Sequence, residues 1–189
     1  EGLPAGETID LEAVKKQMAR RAPGNGPTAT ARKESDTPII VSGVCNQITT
    51  GAPLCAIIEN SNQHSGDYES LKDIPRPGHA DYAAFLRYHG FSDLRGGGHF
   101  SGRLTAPLVL AGAICRQILE RRGIVIGAHA YAIHDVFDTP FDSINIDAKM
   151  LSRLNADFFS VIDSKAQEKM RQDIEAARLQ GDSVGGVVE

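Results

Sequence analysis

Tryptophan is missing from the chain, and there are only three cysteines, three methionines and 6% aromatic residues in 189 positions. The cysteines, Cys45, Cys55 and Cys115, form no CxxC pair, and their odd number leaves a thiol over under any pairing. A disulfide framework is therefore not expected, and reduced, partly buried thiols are the simplest reading. The six histidines at 64, 79, 89, 99, 129 and 134 contain no HxxxH or HExxH spacing, which argues against a structural zinc centre or any other metal site. No GxSxG, Walker A loop or GxGxxG occurs, so a serine hydrolase elbow and the two common nucleotide loops have no support. There is no excess of positive charge: the formal net charge is −4, which speaks against a general nucleic-acid binder. No apolar run reaches the length of a membrane span. No secretory leader is visible, although the chain opens at Glu1 without a Met.

What is present is an ordinary globular composition, 41% hydrophobic and 23% charged, of a size that means one domain or two small ones, and a single domain over residues 1–189 is expected. Nineteen glycines and nine prolines gather in a few loops, as in a loop-rich site protein. Leu11, Val14 and Met18 recur at helical spacing after a possible cap at Asp10, so a helix is predicted over 11–21, stopped by Ala22-Pro23-Gly24. A loop follows over 22–37. Residues 38–44 and 54–59 read as strands around a turn-like TTGAP, and 60–78 reads as a polar loop. A short helix is predicted over 80–88. A long one over 105–121 is apolar on nearly every face, so burial between layers is expected. Residues 124–133 alternate as a strand would, with Ala128, Ala130 and Ala132 on one side. Residues 147–159 read as a helix. Ser164 and Gln167 form a capping-box pattern before another helix to about Gln180, which Gly181 ends. A strand begins at Val184.

Three clusters could carry chemistry. RPGHADY (76–82) sets His79 straight after a rigid Pro-Gly turn, a good position for a group that moves a proton near neutral pH. An isolated histidine more often only caps or packs. RGGGHFSGR (95–103) offers glycine N–H groups before a helix start, flanked by Arg95 and Arg103, which suits an anion. Flexible hinges look the same. Arg20 and Arg21 close the first helix beside the Gly/Pro loop, where compensation of the helix dipole is the blander role. Residue types alone point to an enzyme or binder of a small phosphorylated anion.

Read in order, the segments resemble the chorismate synthase family along almost the entire chain. GLPAG (2–6), RRAPG (20–24), ARKESD (31–36), SGV (42–44) and TTGAP (49–53) follow the family order. So do IEN (58–60), DY (67–68), RPGHADY, RGGG (95–98), AGAI (111–114) and GDSVGG (181–186). The resemblance implies an α+β fold with helices sandwiched between antiparallel sheets. It implies an anti 1,4-elimination of phosphate from 5-enolpyruvylshikimate 3-phosphate that gives chorismate. Reduced FMN is the implied cofactor, with no net redox, and NADPH is the candidate reductant of that flavin. A homotetramer in the cytoplasm or plastid, serving aromatic amino-acid biosynthesis, is also implied.

By position in these motifs, His79 is the expected catalytic residue and Arg21, Arg76 and Arg103 are the expected substrate-binding arginines. His99, Phe100 and Ser101 fall where the family contacts FMN. The sequence departs from the family pattern there, with His-Phe-Ser in place of Arg-Ser-Ser, and again at Leu104, Pro27 and His64. The family's Gly-Glu-Ser-His-Gly run before GLPAG is not in the 189 residues, nor is the region after GDSVGG. The chain is therefore expected to be a fragment without turnover of its own, with an exposed edge at its final strand. Two other classes remain: a flavin- or phosphate-binding module of the same fold without the reaction, and a structural protein with incidental glycines. A scaffold has no need of an Arg and a His on the RPGHADY loop.

Overall fold

The computed structural model describes residues 1–22, 35–60, 74–76, 79–93 and 95–189. The loops expected over 22–37 and 60–78, with Pro27 and His64, lie largely outside these residues, as does the side chain of Arg95. The chain divides into two compact units, Glu1–Asn25 with Thr30–Cys115, and Gly26–Ala29 with Arg116–Glu189.

The first unit opens with helix α1 (Leu11–Arg21), as its spacing predicts. The Asp10 carboxylate accepts from the Glu12 and Ala13 N–H groups at 2.9 and 3.1 Å, satisfying donors that have no partner within the helix. Val14 and Met18 are buried on one face, next to a fully buried Ile9. The expected strand 38–44 is broken: β1 (Pro38–Ser42) pairs antiparallel with β4 (Cys55–Ile58), while β2 (Val44–Cys45) pairs with β3 (Ile48–Thr49). The break is at Gly43, whose φ is +83°, and a Cβ there would lie 2.5 Å from the Leu54 Cα. No other residue fits that approach. Asn46 and Gln47 join β2 to β3 with φ of +48° and +62°, the two-residue turn whose twist suits a hairpin. The GLPAG segment is laid along this hairpin, with Gly6 N–H on Thr49 O at 2.8 Å and Thr49 N–H on Glu7 O at 2.9 Å. Helix α2 (Asp81–Tyr88) follows and ends at His89 in the left-handed region.

Helix α3 (Thr105–Arg121) corrects one expectation. It is not buried all round. Ala106, Leu110, Ala113, Ile114 and Ile118, one stripe at i, i+4, i+7, i+8, i+12, are buried, while Leu108 is 71% exposed. Apolar composition reports what a face can cover, not what covers it. The cysteines also depart from expectation: all three are free, but exposed rather than partly buried.

In the second unit the predicted strand over 124–133 is regular only in its last four residues, β5 (Ala130–Ile133). It lies between β6 (Val136–Phe137) and β7 (Gly186–Val188), both antiparallel to it, so β7 is an edge strand in the described sheet. Helix α4 (Ala148–Ala156) is capped by Asp147 and buries Leu151 and Leu154. Helix α5 (Ser164–Leu179) is capped by Asp163, not Ser164: the Asp163 carboxylate accepts from Lys165 N–H at 2.9 Å, and the Gln167 side chain bonds the Phe159 carbonyl instead. Ala166 and Met170 of α5 join Val161 in the core, against Ala130, Ile133 and Val136 of the sheet. Helices and small antiparallel sheets together make the fold α+β, as the sequence implies.

A polar cluster, with His129 and Asp138 buried and Glu189 exposed, closes this sheet. The His129 ring faces Asp138 through Nδ1 at 2.7 Å and Glu189 through Nε2 at 3.1 Å. Burial, the largest single influence on Asp138, pushes its pKa up. The N–H groups of Ile162, Asp163 and Thr139 and the His129 ring together outweigh it, so the net value falls below the ordinary 3.8. A carboxyl held low in the folded state binds its proton more readily when unfolded, so stability rises with pH. The contribution is complete above about pH 4 and is lost as pH falls through the folded-state value. Urea unfolding between about pH 6 and pH 2 should show a shallower acid loss for Asp138→Asn than for the parent. Parallel curves would show that Asp138 contributes nothing to acid sensitivity.

Candidate functional site

In the RPGHADY loop the organising atom group is a carboxylate. Asp81, the first residue of α2, is 6% exposed and sits where a helix N-terminus favours negative charge. Its Oδ2 accepts from Arg76 Nε at 2.8 Å and from the Arg76 backbone N–H at 3.0 Å. Its Oδ1 accepts from Arg76 Nη2 at 2.9 Å and lies 3.0 Å from His79 Nδ1. The guanidinium side chain of Arg76 holds the Asp81 carboxyl far below the usual carboxylate range, against the opposing pull of burial. Arg76 and His79 are thus brought together on one acidic anchor, each about one-third exposed at the side chain.

The other two expected arginines meet on a second carboxylate. Asp36 is 1% exposed and has a left-handed backbone, φ +45°. Arg21 Nη1 donates to its Oδ2, and Arg103 Nη1 lies 2.8 Å from its Oδ1. Both arginines are held from further sides. Arg21 Nε donates to Thr105 Oγ1 at 3.1 Å, and Arg103 Nη2 donates to the Glu59 carbonyl at 2.6 Å. Two guanidinium groups on one carboxylate leave a net positive charge, and a planar fork suits carboxylate or phosphate oxygens.

Arg103 also walls a cavity of about 210 Å³ with Ile58, Asn60, Gly98, Ser101 and Leu104. Asn60 Oδ1 is buried with no hydrogen-bond partner among the described residues. Gly98 of the triple glycine has φ +58°, and a Cβ there would meet the Asp93 carbonyl oxygen at 2.3 Å, so glycine is required. Ser101 caps the short 3₁₀ turn Gly102–Leu104, accepting from Arg103 N–H at 3.2 Å. The neighbouring expectations separate: the Phe100 ring packs 6.4 Å from that of Tyr88, and His99 is exposed.

The arginines and the histidine stand out in the sequence by motif position, whereas Asp36 and Asp81 do not. Both stand inside quoted motifs. The His-x-Asp spacing of 79 and 81 was a usable signal for one. For Asp36, a pairing with two distant arginines leaves no local trace.

The geometry defines an α+β protein whose motif arginines are organised on two buried carboxylates. The chain belongs to the chorismate synthase family, whose family model matches residues 1–189. It is 44% identical to the chorismate synthases of Pyrococcus abyssi and Thermococcus kodakarensis, covering 100% of this chain and 51% of each of those proteins. It is 43% identical to that of Aeropyrum pernix, covering 49% of it. A crystal structure of a chorismate synthase superposes with a TM-score of 0.70 at 24% identity, over 100% of this chain and 50% of that one, a likeness of fold. The chain spans about half the length of the curated relatives it matches.

Asp36 is the counter-charge of two largely covered arginines. Truncating one member of a buried ion cluster leaves the others uncompensated, at a cost of about 3–5 kcal/mol. Asp36→Ala in the intact protein should lower stability by that order in denaturant unfolding. A loss under about 1 kcal/mol would mean that solvent screens the cluster.

Proposed function

We propose that this chain forms part of a chorismate synthase, a lyase that eliminates phosphate from 5-enolpyruvylshikimate 3-phosphate to give chorismate. The observation that carries the reading is the family match over all 189 residues, with the RPGHADY block intact inside it. The substrate bears one phosphate and two carboxylates, and an acidic protein needs concentrated arginines to hold them. Arg21 and Arg103, each paired with Asp36 through one Nη1, bind anionic oxygens of the substrate. Arg76, clamped by Asp81, adds positive charge beside His79. His79 holds or moves a proton at its ring while the substrate loses a proton and phosphate.

Reduced FMN is the cofactor of this reading, and NADPH is its candidate reductant. The cavity beside Arg103 fits one end of such a group. Ser101 and Arg103 offer hydrogen-bonding groups, Asn60 Oδ1 is an unmet acceptor, and Ile58 and Leu104 are apolar. Its volume is below the roughly 300–1,000 Å³ of a full cofactor pocket, so these residues supply one wall. When bound, reduced FMN supplies reducing equivalents that are returned, so the reaction has no net redox change. His99 and Phe100 belong to the flavin side in this reading. A homotetramer in the cytoplasm, a single catalytic domain of which residues 1–189 are part, and no turnover by these residues alone complete it. No described helix is long and apolar enough to cross a membrane.

In the intact protein, assayed anaerobically with reduced FMN, His79→Ala should cut turnover roughly 10²–10⁴-fold, the usual worth of a positioned proton-transfer group, with far less effect on substrate affinity. Turnover within a few-fold of the parent would remove His79 from the chemistry. An intact parent that binds flavin and substrate without turnover would favour the binding-module reading.

Arg103→Ala should weaken substrate binding by roughly 2–5 kcal/mol in calorimetric titration, as loss of a buried charged partner does. Arg178, 61% exposed and paired with Glu175, is the comparison: Arg178→Ala should leave affinity unchanged. Equal losses would place the substrate elsewhere.

A further inference from the structure

We propose that Asp81 is a positioning residue for His79: it fixes one ring proton on Nδ1 and leaves Nε2 as the atom that exchanges a proton with the bound reactants. The proposal rests on the reading above, in which His79 manages a proton.

Among the described residues two groups lie near His79 Nδ1, and they ask for opposite tautomers. Asp81 Oδ1, at 3.0 Å, is an acceptor and needs Nδ1 to carry hydrogen. Arg76 Nη2, at 3.2 Å, is a donor and would need Nδ1 to present a lone pair. The arginine is already served, because the same Nη2 donates to Asp81 Oδ1 at 2.9 Å, and Nε donates to Oδ2. Its nearness to Nδ1 follows from two donors converging on one carboxylate oxygen. The opposite arrangement would set the Nδ1 lone pair against an anionic oxygen at hydrogen-bond distance, with no proton between them. A carboxylate accepts only, a guanidinium donates only, and the imidazole is the one group of the three that can adapt. The neutral ring therefore carries its hydrogen on Nδ1.

Asp81 is suited to hold that state. It is nearly buried, tied to Arg76 by three hydrogen bonds, and fixed in the first turn of a helix. When Nε2 takes a proton, the positive charge formed on the ring stands beside this carboxylate. The second ring nitrogen is thereby assigned to exchange, and the ring orientation is set by a group that need not touch the reactants.

The test begins with the parent intact protein, labelled with ¹⁵N-histidine and free of ligand. Long-range ¹H–¹⁵N correlation at about pH 8.5, above the ordinary histidine range, reads the tautomer directly. A His79 ring protonated at Nδ1 supports the proposal, and one protonated at Nε2 overturns it, without any variant having to fold. In Asp81→Asn the amide offers both a donor and an acceptor, so a mixture of tautomers is expected. Turnover at saturating substrate should fall at least tenfold. The double variant Asp81→Asn/His79→Ala should then be within a few-fold of His79→Ala alone, because the aspartate acts through the histidine. Losses that multiply independently would overturn the proposal. The tautomer judges the positioning of the ring, and the His79→Ala assay separately judges the reading beneath it.

Discussion

A charge taken out of water must be met by an opposite charge or by hydrogen bonds, and three buried aspartates show how much of this chain is arranged to meet that demand. Asp36, Asp81 and Asp138 are each 6% exposed or less. Asp36 draws together Arg21 and Arg103; Asp81 draws together Arg76 and His79; Asp138 receives two backbone N–H groups from the segment ahead of α5 and faces a buried histidine. An unpaired carboxylate in any of these places would cost several kcal/mol, so each one dictates where its neighbours stand. The first two organise motif residues of the family. The third holds together the sheet that carries β7.

Around these anchors the regular structure is economical. Among the described residues two of the sheets have only two strands, and the hairpin of β2 and β3 gains support from the GLPAG segment stitched along it. Small sheets of this kind are marginal alone and rely on what packs or bonds to them. Thr49 illustrates the point: its hydroxyl donates to the Pro4 carbonyl at 2.6 Å and accepts from Glu7 N–H at 2.9 Å, which ties the entry of the chain to the strand.

Much of this was legible in the sequence where the cause is local. Helix α1, with its Asp10 cap and its Val14/Met18 face, follows from spacing and capping chemistry. Strand limits were less legible. The run over 38–44 looks continuous until Gly43 meets Leu54, and the alternation over 124–128 is not met by a paired strand among the described residues. The α5 cap moved by one residue because Asp163 is the stronger acceptor and Gln167 found the Phe159 carbonyl. Arg21, Arg76, His79 and Arg103 were singled out as candidates by motif position, and the structure gathers them on two carboxylates. Their carboxylate partners were not assigned, since Asp36 acquires its role only when three distant segments come together.

That dependence on distant segments bears on how the chain folds. Arg21, Asp36 and Arg103 lie on separate stretches of sequence, and bringing them together closes long loops, an entropic cost that only later contacts repay. A partly folded chain with α1 or the hairpin formed would still lack the doubly paired carboxylate. The cluster is therefore complete only once all three stretches have met. A small anion binding there would engage the assembled cluster and not its precursors, and so would draw the population toward the native state by mass action.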